Sequence, residues 1–182
     1  MDLTGRNAIV TGGGVRVGRA ISVALAHAGA RVYVHYNSSN TDATGVRDEI
    51  VGAGGFAAVG SADLSDPAAA RMLVDDATAA LGPVSILVNN ASGFPSDTLA
   101  DVTLEDLRDA RSVTLESPVM LTQALAANLP EGMDASVVNI TDQRTMRPYR
   151  KHLSYLLAKG GLDTFTRIAA LDLAPRIRVN AV

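Results

Sequence analysis

NAIVTGGGVRVG, residues 7–18, is the segment that decides the fold of this sequence. Residues 7–11 are a short apolar run, which predicts a buried strand, and the glycines after it predict a tight turn into a helix at Val17–Ala28. Glycines in such a turn let the backbone approach a pyrophosphate, whose charge is stabilised at a helix N-terminus. We expect a nucleotide site here, although Gly12, Gly14 and Gly18 depart from G-x-G-x-x-G spacing and tight turns use glycine for backbone reasons alone.

Short apolar runs alternate with longer Ala- and Leu-rich segments along the rest of the chain. Further strands are predicted at Arg31–Tyr36, Phe56–Gly60, Ser85–Val88, Ala135–Thr141 and Ile177–Val182, and helices at Thr41–Val51, Pro67–Ala80 (capped by Asp66), Thr103–Leu129 and Leu153–Leu173. We expect the helix at 103–129 to break near Ser117-Pro118. Apolar strands separated by helices predict a parallel sheet covered on both faces, the doubly wound α/β Rossmann fold, as one domain over residues 1–182.

Composition excludes several classes of function. The sequence has no cysteine, which excludes disulfides, thiolate nucleophiles and cysteine-bound zinc, and the isolated His27, His35 and His152 predict no metal site. Sixteen basic and 19 acidic residues give a net charge of −3 with no evident basic patch, so we expect neither a nucleic-acid nor a membrane partner. No signal peptide or membrane-spanning run is evident, so we expect a cytoplasmic protein that acts on a small molecule.

The end of the second predicted strand indicates which dinucleotide would bind. An acidic residue there would hydrogen-bond the adenosine ribose and favour NAD, but the sequence continues as Asn37-Ser38-Ser39 without a carboxylate. Arg16 in the glycine turn could reach a 2′-phosphate, which these three polar residues could also bind. We therefore expect NADP, against the alternative of a plain polar loop and a solvated arginine.

Tyr155 and Lys159 lie four residues apart on one face of the last predicted helix. A tyrosine with a pKa of about 10 is a poor acid–base catalyst at neutral pH unless a nearby cation stabilises its phenolate. The Lys159 ammonium could do this and could also hold ribose hydroxyls. The alternative is a surface tyrosine and lysine that pack ring to stem.

These features together resemble the short-chain dehydrogenase/reductase family, and the resemblance covers the whole chain. The similar motifs are Thr11–Gly18 (cofactor loop), Asp63-Leu64 (adenine contact), Asn89-Asn90-Ala91, the Tyr155 and Lys159 catalytic pair, and Arg178-Val179-Asn180. The resemblance implies an oxidoreductase that binds NADP(H) through loop, strand-end and helix residues. That set is Gly12, Gly14, Arg16, Val17, Gly18, Asn37, Ser38, Ser39, Asp63, Leu64, Asn90, Ala91, Ser92, Tyr155 and Lys159.

Departures from the family pattern point to one branch. Arg16 and Ser92 stand where the family usually has glycine, and Asp142 stands where it usually has serine. Together with Phe94, these residues resemble the pteridine and dihydromonapterin reductases. The resemblance implies that Phe94 stacks the pterin against the nicotinamide and that Ser92 and Arg16 contact substrate and cofactor phosphates. It also implies that Asp142 joins the catalytic pair in proton delivery, so that Tyr155 and these four residues form the substrate site.

The residues leave alternatives open. A carboxyl beside a phenol can accept a ring N–H or pass a proton to a ring nitrogen of a flat aminopyrimidine. Asp142 could instead be an N-cap or loop carboxylate, and Phe94 a core plug. The protein could also be a general carbonyl or 3-oxoacyl reductase, or a non-catalytic NADP-binding regulatory protein. Thr114 favours this last reading, because the family has an asparagine there to position a water for the lysine.

The resemblance also bears on assembly and length. It implies that the helices at 103–129 and 153–173 pair with copies of themselves, so we expect a homodimer or homotetramer. Family members continue for tens of residues past the position of Val182, adding a substrate lid and a further strand. We therefore expect the natural protein to be longer.

Overall fold

The apolar runs of the sequence pair into one parallel sheet. The computed structural model describes residues 2–182. The strands are β1 (Asn7–Val10), β2 (Arg31–Tyr36), β3 (Ala57–Ser61), β4 (Ile86–Asn89), β5 (Ala135–Asn139) and β6 (Ile177–Ala181). Their order is β3-β2-β1-β4-β5-β6. The order reverses between β1 and β4, and in such sheets the crevice at the carboxyl ends of these strands is where ligands bind.

Helices cover both faces of the sheet, as the sequence predicts. They are α1 (Arg16–His27), α2 (Asn40–Gly52), α3 (Pro67–Leu81), α4 (Leu104–Arg111), α5 (Ser117–Asn128) and α6 (Leu153–Leu173). On one face α1 and α2 pack over a core that includes Val34 and Ile50. On the other face α3, α5 and α6 pack over a core that includes Leu73, Leu87 and Leu125. The predicted doubly wound α/β fold is therefore confirmed.

The segment predicted as one helix at 103–129 is interrupted near the expected place. A π-helical turn at Ser112–Glu116 separates α4 from α5, and Pro118 lies in the first turn of α5. The prediction of a break near Ser117-Pro118 is therefore confirmed, although the irregular turn directly precedes these residues. Single π turns are frequent at functional sites, and this one carries the buried Thr114.

Two kinds of structural feature are absent from residues 2–182. None of the helices there is both long and apolar enough to cross a membrane. No group of three or more potential metal-ligating side chains occurs in the same range.

A chain of buried amide and hydroxyl groups joins the centre of the sheet to α6. The Asn89 amide donates to Asn139 Oδ1 at 2.8 Å, and the Asn139 amide donates to Thr166 Oγ1 at 2.8 Å. Thr166 in turn donates to the carbonyl of Leu162. Because a buried donor without a partner is costly, this chain fixes α6, and the residues it carries, against β4 and β5.

Thr166→Val should destabilise the protein, because valine keeps the volume but leaves the buried Asn139 amide without its acceptor. We expect the free energy of unfolding to fall by about 1–3 kcal/mol and Tm by roughly 2–10 °C in thermal unfolding. The matched control is Thr164→Val on the exposed face of α6, where the change should stay within about 0.5 kcal/mol. Equal losses in the two variants would contradict the assigned role of the buried chain.

Candidate functional site

The glycine turn after β1 is held in shape by its two neighbouring strands. The Gly12 N–H donates to His35 Nδ1 at 3.1 Å, and the Gly13 N–H donates to the His35 carbonyl at 2.9 Å. From the other side, the Asn90 amide donates to the carbonyls of Thr11 and Gly12. The turn therefore has a fixed backbone path before any ligand arrives.

Close packing requires glycine at two positions of the turn. A Cβ on Gly14 would lie 2.9 Å from the backbone nitrogen of Ala43 in α2, and a Cβ on Gly18 would lie 2.1 Å from the Gly12 carbonyl oxygen. These glycines therefore let α1 and α2 approach the turn closely. This agrees with the alternative that the turn uses glycine for structural reasons. The turn ends at the N-terminus of α1, the kind of position at which a pyrophosphate is stabilised.

His35 is a site residue that sequence reasoning missed. It is buried in β2, and because Nδ1 accepts from Gly12, Nε2 carries the hydrogen that it donates to the carbonyl of Ala62 at 3.0 Å. Burial lowers the pKa of His35, which keeps the ring neutral. The available signal was a polar residue in the middle of an otherwise apolar strand.

Arg16 lies at the end of the turn, where α1 begins, and its backbone is in a left-handed conformation. Its φ is +49°, and its side chain is exposed at the first residue of α1. None of the ion pairs within residues 2–182 includes it. A non-glycine residue in this region costs about 1–2 kcal/mol, which makes the position a candidate for function rather than stability.

The predicted adenine-contacting pair is divided between two environments. Asp63 is exposed and accepts hydrogen bonds from the Ser65 N–H at 2.9 Å and hydroxyl at 2.7 Å. The Leu64 side chain is buried in the core, and its carbonyl accepts from Ser117. Because the Leu64 side chain packs in the core, only the backbone of this residue could contact a nucleotide.

Asp142 and Tyr155 meet directly. The Tyr155 hydroxyl donates to Asp142 Oδ2 at 2.9 Å, while Asp142 Oδ1 accepts from the Arg144 N–H at 2.8 Å. Asp142 therefore caps the short 3₁₀ turn at Gln143–Thr145 and also binds the phenol, so the two readings of this carboxylate are compatible. The cap fixes the carboxylate in the orientation that the phenol uses.

Lys159 lies one helical turn from Tyr155, as its spacing predicts. Its ammonium is 5.7 Å from the centre of the Tyr155 ring and donates to the Ile140 carbonyl. Burial lowers the pKa of Lys159 to about 8, although the negative charges of Asp142 and Asp163 oppose this shift. The lysine therefore titrates close to neutral pH.

The Tyr155 phenol differs from the sequence-based expectation. Its pKa is raised, first by burial and then by the hydrogen bond and negative charge of Asp142, with Arg144 opposing. We expected Lys159 to favour the phenolate, but burial and a carboxylate at hydrogen-bond distance outweigh an ammonium 5.7 Å from the centre of the ring. In this structure Tyr155 is a protonated donor at neutral pH.

Phe94 forms an exposed aromatic wall beside this pair. Its ring is 53% exposed, which excludes the core-plug alternative. One face stacks on the His152 ring with centroids 3.8 Å apart and planes at 17°, and the Tyr155 ring meets it edge-on at 4.9 Å. His152 is held by a hydrogen bond between Nδ1 and the Pro95 carbonyl at 2.6 Å. Sequence reasoning gave His152 no role.

Ser92 and Thr114 contact each other. Their hydroxyl oxygens are 3.0 Å apart, and Ser92 also donates to the Gly93 carbonyl at 2.9 Å, so Thr114 donates to Ser92. Thr114 is buried in the π turn. Its hydroxyl therefore serves to position Ser92.

Asp97 is a second residue that sequence reasoning missed. Its carboxylate is buried and accepts from the Ser154 N–H in the first turn of α6 at 3.2 Å. This contact ties the segment that carries Phe94 to the helix that carries Tyr155. The two residues are 57 positions apart, so no local pattern could indicate the pairing.

Comparisons with known proteins agree with this geometry. An uncharacterized oxidoreductase of Mycobacterium tuberculosis is 38% identical over 177 residues, covering 96% of this chain and 66% of that protein. The L-xylulose reductase of Bos taurus is 36% identical over 184 residues, covering 100% and 72%. The crystal structure of FolM alternative dihydrofolate reductase 1 from Brucella canis, complexed with NADP, has a TM-score of 0.94 and 39% identity, covering 98% and 71%. This chain thus spans about two thirds to three quarters of the length of these relatives.

The family assignment follows from the extent of the match. A family model described as short chain dehydrogenase matches residues 6–182. That range contains the whole sheet, the glycine turn and the tyrosine–lysine helix. Together with the identities above, it establishes that this chain belongs to the short-chain dehydrogenase family.

Proposed function

We propose that the protein is an NADPH-dependent reductase that transfers hydride to a C=N bond of a pterin-type substrate. The observation that carries the proposal is the hydrogen bond between Tyr155 and Asp142, because a carboxyl beside a phenol matches the ring N–H and nitrogen groups of an aminopyrimidine. A Brucella canis neighbour of closely similar structure is named an alternative dihydrofolate reductase, which supports the same substrate class.

The cradle at the start of α1 fits a dinucleotide. The turn leads directly into α1, whose N-terminus would place unpaired backbone N–H groups beside a pyrophosphate. Arg16 and the polar residues 37–39 would hold the 2′-phosphate, and Asp63 and Asn90 would line the adenosine and ribose portions. When bound, NADPH would supply the hydride.

The chain's own contribution is the proton. Asp142 keeps Tyr155 protonated until a substrate nitrogen replaces Oδ2 as the acceptor of the phenol hydrogen. The proton then moves from Tyr155 Oη to that nitrogen as hydride adds to the neighbouring carbon. The Lys159 ammonium stabilises the phenolate that remains, and Phe94 and Ser92 orient the flat ring.

A general carbonyl reductase is the second candidate. It is favoured by the similarity to an L-xylulose reductase. In that case Asp142 would only take the place of the serine that the family usually has there, and the substrate would be a ketone or an aldehyde. Stopped-flow measurement of NADPH oxidation separates the two functions: we expect turnover of dihydrobiopterin or dihydrofolate, and brisk turnover of ketones alone would contradict the pterin proposal.

We also propose a homo-oligomer, a dimer or a tetramer, in the cytoplasm. The supporting feature is the apolar surface of α6, where Ile168 is 53% and Leu171 81% exposed. Sedimentation of this chain at several concentrations tests the assembly.

Tyr155→Phe should abolish reduction while NADPH still binds. Removing the only hydrogen that Tyr155 can donate should lower kcat by about 10²–10⁴-fold, with little change in the Kd for NADPH measured by calorimetry. The control is Tyr33→Phe, which removes the hydroxyl of a buried tyrosine in β2 outside the proposed site. NADPH binding without turnover of any substrate by the wild-type chain would instead support a regulatory NADP-binding protein.

The pH dependence of kcat/KM for NADPH should follow Lys159. Its pKa near 8 means that the ammonium is present below that pH and is lost above it, so activity should fall on the alkaline side. Asp142→Asn removes a charge that favours the ammonium and should move this limb to lower pH. Asp163→Asn should shift it in the same direction while preserving the Tyr155–Asp142 hydrogen bond. An alkaline limb that neither variant moves would contradict the assignment.

Arg16→Gly should weaken the preference for NADPH over NADH. Loss of a charged hydrogen bond to phosphate should lower the ratio of kcat/KM values roughly tenfold or more. Glycine adopts a φ of +49° without strain, so the free energy of unfolding should change by no more than about 1 kcal/mol. The control is Arg19→Ala on the same helix, and equal loss of preference there would refute the role of Arg16.

A further inference from the structure

The segment after Asp142 is strongly basic, although the whole chain has a net charge of −3. Residues 143–151 read QRTMRPYRK and include four of the 16 basic residues of the protein. No acidic residue follows Asp142 until Asp163. The expectation of no evident basic patch is therefore wrong for this loop, because a net charge of −3 for the whole chain does not show where the charges lie.

This basic loop forms one side of an open cleft of about 500 Å³. The other side is apolar and comes from Leu99 and from Leu156 and Leu157 on α6, while Tyr149 adds an exposed aromatic ring. Among the basic residues, Arg144, Arg150 and Lys151 line the cleft, whereas Arg147 does not. A cleft of this volume accommodates a flat ring with a substituent.

The cleft adjoins the candidate active site at Arg144, which lines it. Its Nε lies 4.0 Å from Asp142 Oδ1, and its guanidinium is 5.3 Å from the Phe94 ring and 5.6 Å from the Tyr149 ring. Arg144 is therefore a wall shared by the two spaces. A ring that packed on Phe94 would therefore lie beside Arg144, which also lines the cleft.

Two of the basic residues that line the cleft are available to a ligand. Arg150 and Lys151 belong to none of the ion pairs found in residues 2–182. Hydrogen bonds from Thr98 are the main cause that lowers the pKa of the exposed Asp101, and the charge of Lys151 makes only the smallest contribution to that shift. The opposing charge of Asp101 is therefore strongly screened by water.

We propose that this cleft binds the tail of the substrate, and that the tail is an aromatic ring carrying carboxylates, as in dihydrofolate. This inference rests on the proposed pterin reduction. Tyr149 and the leucines pack against the tail ring, and Arg150 and Lys151 pair with its carboxylates. The cleft would thus distinguish dihydrofolate from dihydropterins with a short neutral side chain.

The test compares the ratio of kcat/KM for dihydrofolate to kcat/KM for dihydrobiopterin. In Arg150→Gln/Lys151→Gln this ratio should fall about tenfold at low salt, as expected for two partly exposed ion pairs, through KM rather than kcat. Arg147→Gln is the matched control, because it removes a charge from the same loop but outside the cleft. Its ratio should change less than about twofold.

A binding measurement gives a second readout that needs no turnover. The fragment 4-aminobenzoyl-L-glutamate carries the ring and both carboxylates of the tail but no pterin. We expect it to inhibit competitively against dihydrofolate and to bind the wild-type chain in calorimetry. Its affinity should fall with rising salt and in the double variant, but not in the Arg147→Gln control.

The outcomes separate this inference from the proposed function. Pterin reduction with an unchanged substrate ratio in the double variant would overturn the tail cleft and leave the reductase proposal standing. Binding of the fragment without reduction of any pterin would overturn the reductase proposal instead. Charge-dependent reduction of an acyl group on an acidic carrier protein would overturn both, since the cleft would then serve a different substrate.

Discussion

The hydrogen bond from Tyr155 to Asp142 Oδ2 joins the two structural halves of the site. Asp142 follows β5 and is fixed by its cap on the 3₁₀ turn, whereas Tyr155 is carried by α6. The position of α6 depends in turn on the buried Asn89–Asn139–Thr166 chain. A proton donor, a carboxylate and an aromatic wall can face one substrate only because these contacts fix the helix against the sheet.

Electrostatics within the site follow from the same contact. Burial and the Asp142 carboxylate at 2.9 Å raise the pKa of the Tyr155 phenol, while burial lowers the pKa of Lys159 toward neutrality. The two shifts move the pKa values of the phenol and the ammonium apart, although the two groups have similar pKa values in water. A serine in place of Asp142 would lack the negative charge, so the aspartate changes the acid–base chemistry as well as the shape of the site.

Much of the fold and part of the site could be predicted from local sequence. The alternation of apolar strands and helices indicated the parallel sheet, and a spacing of four residues brought Tyr155 and Lys159 to one face. Contacts between distant segments gave no such signal: His35 with Gly12, Asp97 with Ser154, and Phe94 with His152. The π turn also escaped prediction, because it depends on packing around Thr114 rather than on a residue preference.

The central claim is that Asp142 and Tyr155 together face a pterin ring. Its most direct test is a crystal structure of the ternary complex with NADP and a dihydropterin. We predict that a ring nitrogen lies within hydrogen-bond distance of Tyr155 Oη or Asp142, with the pterin packed against the Phe94 ring. A pterin bound elsewhere, with Asp142 turned toward bulk solvent, would contradict the account.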